Sequence, residues 1–396
     1  MAKTFPAVLI GGPPHSGKSV LVYSLTQALR QARAPHYALR ACPDGEGDWA
    51  NEADQILVRT IRSKGAFTGA FMERVAGYLQ KRHLPLLVDV GGKPTPAQEA
   101  VFAYCTHAVL LAGEREDDPA AYGRDLAAWR AMMARQGVPV IAEIKSQLGG
   151  EDNLTGTEPV IRGTISRLER GKTAAGPAFA ALVKRLQALF DFTEAELTRL
   201  HLALAPAELT LDLPALARTL GAADGRWRPE QLPSLGEYLP QGKPLAIYGR
   251  APNWIYAFLG LMAYPAPVWL FDARLGWIQP PTLPVISGSK AAGQPGWAVD
   301  LHVYATYALL DMKTQAQFLD IEAACQLPLT APPANRGVIL SGKIPHWLMM
   351  AAARQIAPAV PWTAVYQPPL GGAVVITPGS EERRLGDFIP LAPNAG

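Results

Sequence analysis

Eight residues near the start of the chain, Gly12-Pro13-Pro14-His15-Ser16-Gly17-Lys18-Ser19, place two glycines with four residues between them ahead of a lysine and a hydroxyl residue. This is the phosphate-loop pattern, in which free backbone amides of a strand-to-helix turn surround a phosphate. The flanks agree, since Ala7-Val8-Leu9-Ile10 reads as a buried strand and Val20 to Leu25 as the start of a helix. An accidental match in a glycine-rich turn is the competing reading, and this strand and helix disfavour it. Lys18 is then expected on the β- and γ-phosphates of ATP and Ser19 on a magnesium ion. A second acid joins them: Pro85-Leu86-Leu87-Val88-Asp89-Val90 is an apolar strand that ends in Asp89, followed by Gly91-Gly92. An acid at such a strand tip holds the magnesium shell in phosphate-loop enzymes. Lys18 and Asp89 are therefore candidate catalytic residues, and Ser19 and Asp89 candidate metal ligands. Val90 stands where a motor-type ATPase carries the glutamate that primes water, so a kinase or slow nucleotide switch is expected.

Two further sets of residues are candidates around this site. Asp44 and Asp48, in an acidic loop after the second strand, would orient or deprotonate an acceptor hydroxyl, or are simply a solvated turn. Arg162 and the stretch Arg167 to Arg170 would supply a finger to a transferring phosphate, against the plainer reading of solvated side chains.

The elements that must position these groups follow from hydrophobic runs. His36 to Ala41, His107 to Ala112 and Pro139 to Ile144 add three strands, with a helix from Pro119 to Gln136 and a closing helix from Pro177 to Phe190. Five strands alternating with helices predict a doubly wound α/β domain. The stretch 191–240, with Pro206, Pro214, Pro229 and Pro233, reads as a connector plus the opening of the next unit.

Composition narrows the function classes. The chain has 396 residues, 49% hydrophobic, with a net charge of only +3, which allows several cores and argues against a general coat for long nucleic acid. Cys42, Cys105 and Cys325 lie far apart, without metal-ligand spacing, and read as reduced core thiols of a cytoplasmic protein. The first residues lead directly into a strand and leave no room for a signal peptide. The most membrane-like run, Trp254 to Phe271, contains Pro265 and Pro267, and reads as a buried helix followed by a strand rather than a membrane span.

The second half carries an internal repeat. Gly249-Arg250-Ala251-Pro252-Asn253-Trp254 recurs 93 residues later as Gly342-Lys343-Ile344-Pro345-His346-Trp347. Each copy follows an apolar strand, leads into an apolar helix and then a second strand, and reaches a Leu-Gly turn at Leu275-Gly276 or Leu370-Gly371. In each motif a glycine ends the strand, a basic residue follows, and proline is expected in the first helical turn, where its missing amide is harmless. The remaining amides of that turn favour an anion, so Gly249, Arg250 and Pro252, and Gly342, Lys343 and Pro345, are candidate ligand contacts. The plainer reading is a helix start fixed by proline and anchored by a buried tryptophan. Two copies related by approximate twofold symmetry suit a ligand with the same symmetry. From Pro240 onward ten Lys and Arg face eight Asp and Glu, which fits local anion recognition better than polynucleotide binding.

Gly337 to Leu348, then Ala364-Val365-Tyr366, Leu370-Gly371 and Gly386-Asp387, resemble the CRISPR-associated ring nuclease 3 family. The resemblance covers about residues 298–392 well and, through the duplication, 205–285 more weakly. It implies small Rossmann-like domains related to other CRISPR sensor domains, a dimer or higher assembly, and binding and cleavage of cyclic tetra-adenylate. Fusion to a phosphate-loop ATPase domain falls within the family's range. The family's Tyr-Asp-Pro-Arg-Leu-Gly turn matches Phe271-Asp272-Ala273-Arg274-Leu275-Gly276, which makes Asp272 a candidate catalytic residue and Arg274 a ligand contact. In the second copy the Asp position is Gln367, and the family's upstream histidine falls near Tyr264 in one copy and Pro358 to Val360 in the other. Neither copy keeps the His–Asp pair, so the resemblance implies recognition of the ring rather than its metal-free cleavage by the family's route.

The expected protein is thus α/β throughout: a doubly wound phosphate-loop NTPase domain over 1–195, then two small Rossmann-like repeats over 196–290 and 291–396. It is a cytoplasmic, type III CRISPR accessory protein, free of membrane, forming a homo-oligomer and coupling the ring ligand to ATP. The competing expectations are a small-molecule kinase with a structural C-terminal module, and an active ring nuclease with a rearranged site.

Overall fold

The computed structural model describes residues 5–41, 69–114, 118, 120–169, 171–222, 226–287, 296–314, 319, 321–379 and 383–391. Asp44, Asp48, Cys42 and Arg170 lie outside them. The described residues form eleven α-helices and mixed and parallel sheets, an α/β architecture. The chain divides into two compact units, Met1–Arg199 with Ala273–Gly276, and Leu200–Asp272 with Trp277–Gly396.

In the first unit β1 (Ala7–Gly11) leads through the glycine-rich turn into α1 (Lys18–Gln31). The strands that follow are β2 (Tyr37–Arg40), β3 (Leu86–Asp89), β4 (His107–Gly113), β5 (Val140–Gln147), β6 (Asn153–Gly156) and β7 (Ile161–Ser166). They form one seven-stranded sheet, in the order β2-β3-β1-β4-β5-β7-β6. Only β6 runs antiparallel to its neighbour. The sheet is covered on both faces, which is why β1 is apolar at every position rather than at alternate ones. Val8 and Ile10 enter one core with Leu21, Leu25 and Leu29 of α1, while Ala7 and Leu9 enter the opposite core with Trp129 and Met133. The three α1 leucines recur every fourth residue on one helix face and are fully buried, worth ~1.5–3 kcal/mol each as an upper bound. The sheet has two strands more than the five expected. Their sequences, Asn-Leu-Thr-Gly and Ile-Arg-Gly-Thr-Ile-Ser, are too polar to stand out as strands.

The second unit contains two sheets with a common plan. The first holds β8 (Thr210–Asp212), β9 (Leu245–Tyr248), β10 (Val268–Asp272) and β11 (Gly276–Ile278), in the order β11-β10-β9-β8. A short parallel pair joins β12 (Val285–Ile286) to β15 (Leu329–Thr330). The second large sheet holds β13 (Trp297–Val303), β14 (Tyr307–Thr314), β16 (Gly337–Ser341), β17 (Thr363–Gln367), β18 (Gly372–Thr377) and β19 (Phe388–Pro390), in sequence order across the sheet. Parallel pairing of β8 with β9 and β9 with β10 is repeated as β14 with β16 and β16 with β17. Between the paired strands each copy has an eleven-residue helix, Asn253–Ala263 or His346–Ile356. Pro252 and Pro345 cap these helices from just outside, a position earlier than the sequence suggests, with φ near −60° and extended ψ.

These two helices pack against each other at close range. A Cβ added to Gly260 would lie 2.4 Å from Met350 Cγ, so the approach depends on glycine there. Arg354 Nη1 donates to the Gly260 carbonyl at 2.8 Å. Trp254 and Trp347 are buried, as the anchoring reading of the motif requires. Cys105 is buried and its thiol is pushed up to about 12 by that burial, which makes it inert, whereas Cys325 is exposed and not a core thiol. Among the described residues no helix is long and apolar enough to cross a membrane.

Candidate functional site

The glycine-rich turn of the first unit is fixed by sterics at both ends. Gly12 has φ 153°, and a Cβ there would fall 1.8 Å from the Leu111 carbonyl oxygen of β4. Gly17 caps α1 at φ 86°, and His15 is left-handed at φ 61°. Glycine is needed at the first position for space and at the second for backbone freedom. Between them Pro13 is buried, Pro14 half-buried and His15 exposed. Lys18 is buried and its Nζ donates to the Pro13 carbonyl at 2.7 Å. Parallel pairing sets Asp89 opposite Ile10, and Ser19 Oγ donates to Asp89 Oδ2 at 3.2 Å. The Gly91-Gly92 turn lies against the loop, since a Cβ at Gly92 would meet Pro14 N at 2.3 Å.

The structure thus brings Lys18, Ser19 and Asp89 together, as the spacing predicts. It also presents Ser16 Oγ, buried without a hydrogen-bond partner, a condition that costs ~1–3 kcal/mol unless a ligand supplies the partner. Magnesium keeps most of its water and takes one or two protein oxygens beside the phosphates, and the Ser19–Asp89 pair fits that demand. No cluster of three metal-ligating side chains occurs among the described residues.

The arginine candidates separate. Arg162 lies on β7 and donates through Nε to Glu143 Oε2 at 2.9 Å, while Arg130 grips the same carboxylate. Glu143 is buried, and the two guanidiniums hold it below the usual carboxylate range against the opposing effect of burial. Arg162 therefore has a structural partner in place of a phosphate. Arg167 follows β7 in a left-handed conformation, φ 59°, and is exposed. The next residue, Leu168, packs on the loop: a Cβ at Gly17 would lie 2.7 Å from Leu168 Cβ.

In the second unit both motif glycines are left-handed, Gly249 at φ 97° and Gly342 at φ 145°. Arg250 and Lys343 follow them and are exposed. Asp272 is the last residue of β10 and half-buried. Arg274 lies in the turn after it, in the segment grouped with the first unit.

Sequence reasoning assigns no role to His346 as a titratable group, and here the structure adds to it. A cavity of about 100 Å³ opens between the copies, lined by Tyr256, Leu270, Phe271 and Asp272 of the first and Pro345, His346 and Trp347 of the second. The His346 ring stacks on Tyr256 at 4.4 Å, with 18° between planes. Its Nδ1 is 2.6 Å from Asn253 Oδ1, which joins the two matching motif positions. Asn253 Oδ1 only accepts, so Nδ1 carries the proton and Nε2 of the neutral ring keeps its lone pair. His346 is accessible from solvent yet crowded by neighbours; the crowding lowers its pKa, and the Asp272 charge opposes that. Tyr256 donates its hydroxyl to the Gly249 carbonyl, and burial pushes its pKa up to about 12; the Arg250 and Asp272 charges both reach it.

Residues 317–390 match the family described as CRISPR-associated protein (Cas_csx3), so this part of the chain is a CRISPR-associated domain. No curated protein matches. Among solved structures, the crystal structure of APE1195 is similar at 18% identity, over 36% of this chain and 62% of that one. Its TM-score of 0.19 is too low to support an argument about fold. The chain spans less than two thirds of that protein's length.

Proposed function

We propose that the chain is a type III CRISPR accessory protein whose paired C-terminal repeats bind cyclic tetra-adenylate and whose N-terminal unit binds ATP with magnesium. The observation that carries this reading is the CRISPR-associated match over residues 317–390, which falls on one of two halves sharing strand order, glycine turn and helix. Two fused repeats supply within one chain the approximate twofold that a cyclic, symmetric ligand requires. The glycine turns with Arg250 and Lys343 are the phosphate contacts. In the N-terminal unit the loop Gly12 to Ser19 surrounds the phosphates, Lys18 reaches the β- and γ-phosphates, Ser16 gains a partner, and Ser19 and Asp89 hold the ion. Magnesium there neutralises charge on the β- and γ-phosphates. Ring and nucleotide are coupled, so occupancy of one site changes affinity or turnover at the other.

The test is calorimetric titration with cyclic tetra-adenylate, with and without ATP and magnesium. Tight binding that shifts on adding nucleotide supports both halves of the proposal. Absence of ring binding in either condition would leave a phosphate-loop enzyme with a repurposed scaffold.

A further inference from the structure

Left-handed backbone is unfavourable for any residue with a Cβ, and it persists only where the surroundings impose it. Among the described residues three that are not glycine have a positive φ: His15 at 61°, Arg33 at 55° and Arg167 at 59°. Arg33 is ordinary, since it follows the Ala32 cap of α1, where helices commonly end left-handed. The other two flank the phosphate loop. His15 is the exposed residue of the loop, while Pro13 and Ser16 are buried. Arg167 has its backbone pinned on both sides, its N–H donating to the Gln147 carbonyl at 2.9 Å and its carbonyl accepting from Glu169 N at 2.8 Å. The next residue, Leu168, is thereby set against Gly17. Both side chains are basic and exposed, and neither has a hydrogen-bond or ion-pair partner. The acids next to Arg167 are engaged elsewhere: Asp152 accepts from Ser166 N at 2.6 Å, and Glu169 pairs with Lys172. Within the loop, Ser16 Oγ is buried without a partner and lies 3.2 Å from where a Cβ on Gly12 would stand, so it is turned across the loop. Pro13 and Pro14 carry no N–H, so an anion gains no amide from the middle of the first half of the loop. Donors there have to come from a side chain.

We propose that His15 and Arg167 hold the polyphosphate of the bound nucleotide from its outer side, His15 supplying a donor that Pro13 and Pro14 cannot and Arg167 a charge beyond Gly17. This rests on the nucleotide reading of the phosphate loop. The amides of the second half of the loop and Lys18 take the inner oxygens, and Ser19 and Asp89 the magnesium ion. A triphosphate has further oxygens on its open side, and two donors from the rim of the site match them. An imidazole keeps an N–H in either protonation state, and a guanidinium presents paired N–H groups suited to phosphate. Glycine takes left-handed backbone without a steric penalty, so the fold by itself has no use for a side chain at either position. A contact to the ligand gives both side chains one. The arginine candidates are then told apart: Arg162 is held by Glu143, and Arg167 serves the ligand.

The experiment titrates wild type, His15→Gly, Arg167→Gly and Arg167→Lys with ATP and magnesium at several salt concentrations, and records the thermal unfolding midpoint of each without nucleotide. Both glycine variants are expected to unfold at the wild-type midpoint or above it, because relief of the left-handed strain offsets the added freedom of the unfolded chain. Each is nevertheless expected to bind ATP about tenfold more weakly, the loss of one hydrogen bond to a charged group. Arg167→Lys keeps the charge and is expected to lose about threefold. The affinity of Arg167→Gly is expected to fall less steeply with salt than that of wild type, a change that a merely structural residue would not produce. ATP affinity within twofold of wild type in either glycine variant, a loss of affinity accompanied by a lower midpoint, or an unchanged salt dependence in Arg167→Gly overturns the assignment and leaves the nucleotide reading in place. Failure of wild type to bind ATP overturns that reading, and this assignment with it.

Discussion

Asp272 ends β10 in the first copy, and the matching end of β17 holds Gln367. At the first residue of the two helices the order reverses, with Asn253 in the first copy and His346 in the second. The backbone plan is shared, but the acid stands only in the first copy and the imidazole only in the second. In a homodimer both symmetry-related positions must carry the same side chains. Fusion removes that constraint, and one junction can concentrate the titratable groups while its counterpart keeps amides. The paired helices show the same freedom in packing: Gly260 faces Met350, and position 353 of the other helix, its repeat equivalent, is alanine.

The titration of His346 separates the copies, since the matching position of the first copy is Asn253. Its midpoint is expected below the ordinary histidine value of 6.5, because crowding by neighbours disfavours the charged ring, and is read from the imidazole NMR shifts over a pH series. Asp272 from β10 opposes this, Tyr256 stacks from the first-copy helix, and Arg250 acts on Tyr256. Removing the Asp272 charge takes away the influence that raises the histidine. In Asp272→Asn the midpoint is therefore expected at still lower pH, and an unchanged midpoint would show that the acid and the imidazole do not act on each other.

The next contrast is in stability. Gly260→Ala forces a methyl group into Met350 and is expected to cost ~1–3 kcal/mol, read as a lower midpoint of urea unfolding followed by tryptophan fluorescence. Ala353→Gly removes a small buried methyl and adds backbone entropy, and is expected to cost ~1 kcal/mol. A neutral Gly260→Ala would mean that the helices separate easily and that the junction is not rigid.

What the sequence discloses depends on whether the evidence is contiguous. Gly12 to Ser19 is legible because its glycines, lysine and serine are neighbours in the chain, and Asp89 because it ends an apolar strand. The repeat is legible because its motif recurs with order and turn intact. The junction is not, because Asp272 and His346 belong to different copies, and aligning the copies makes each look like the other's loss. Arg162 misleads for a related reason: its partner Glu143 lies on the neighbouring strand β5, and nothing local announces the pair.

The smallest expected effect tests whether the helix contact itself is asymmetric. Arg354 occupies the position at which the first copy has Leu261, and it reaches across, donating to the Gly260 carbonyl and resting over the Tyr264 ring at 5.3 Å. Arg354→Leu restores the residue of the first copy and removes two hydrogen bonds between partly buried groups, to the Gly260 carbonyl at 2.8 Å and, more weakly, to the Ala266 carbonyl at 3.4 Å. A net cost of ~1 kcal/mol is expected, because the carbonyl loses a partner while leucine recovers some apolar contact. Combined with Gly260→Ala, the two changes alter the same contact, so their costs should fall short of the sum. Full additivity would place Arg354 outside the packing that brings the two copies together, and the junction would then rest on Gly260 and the His346–Asn253 bond without it.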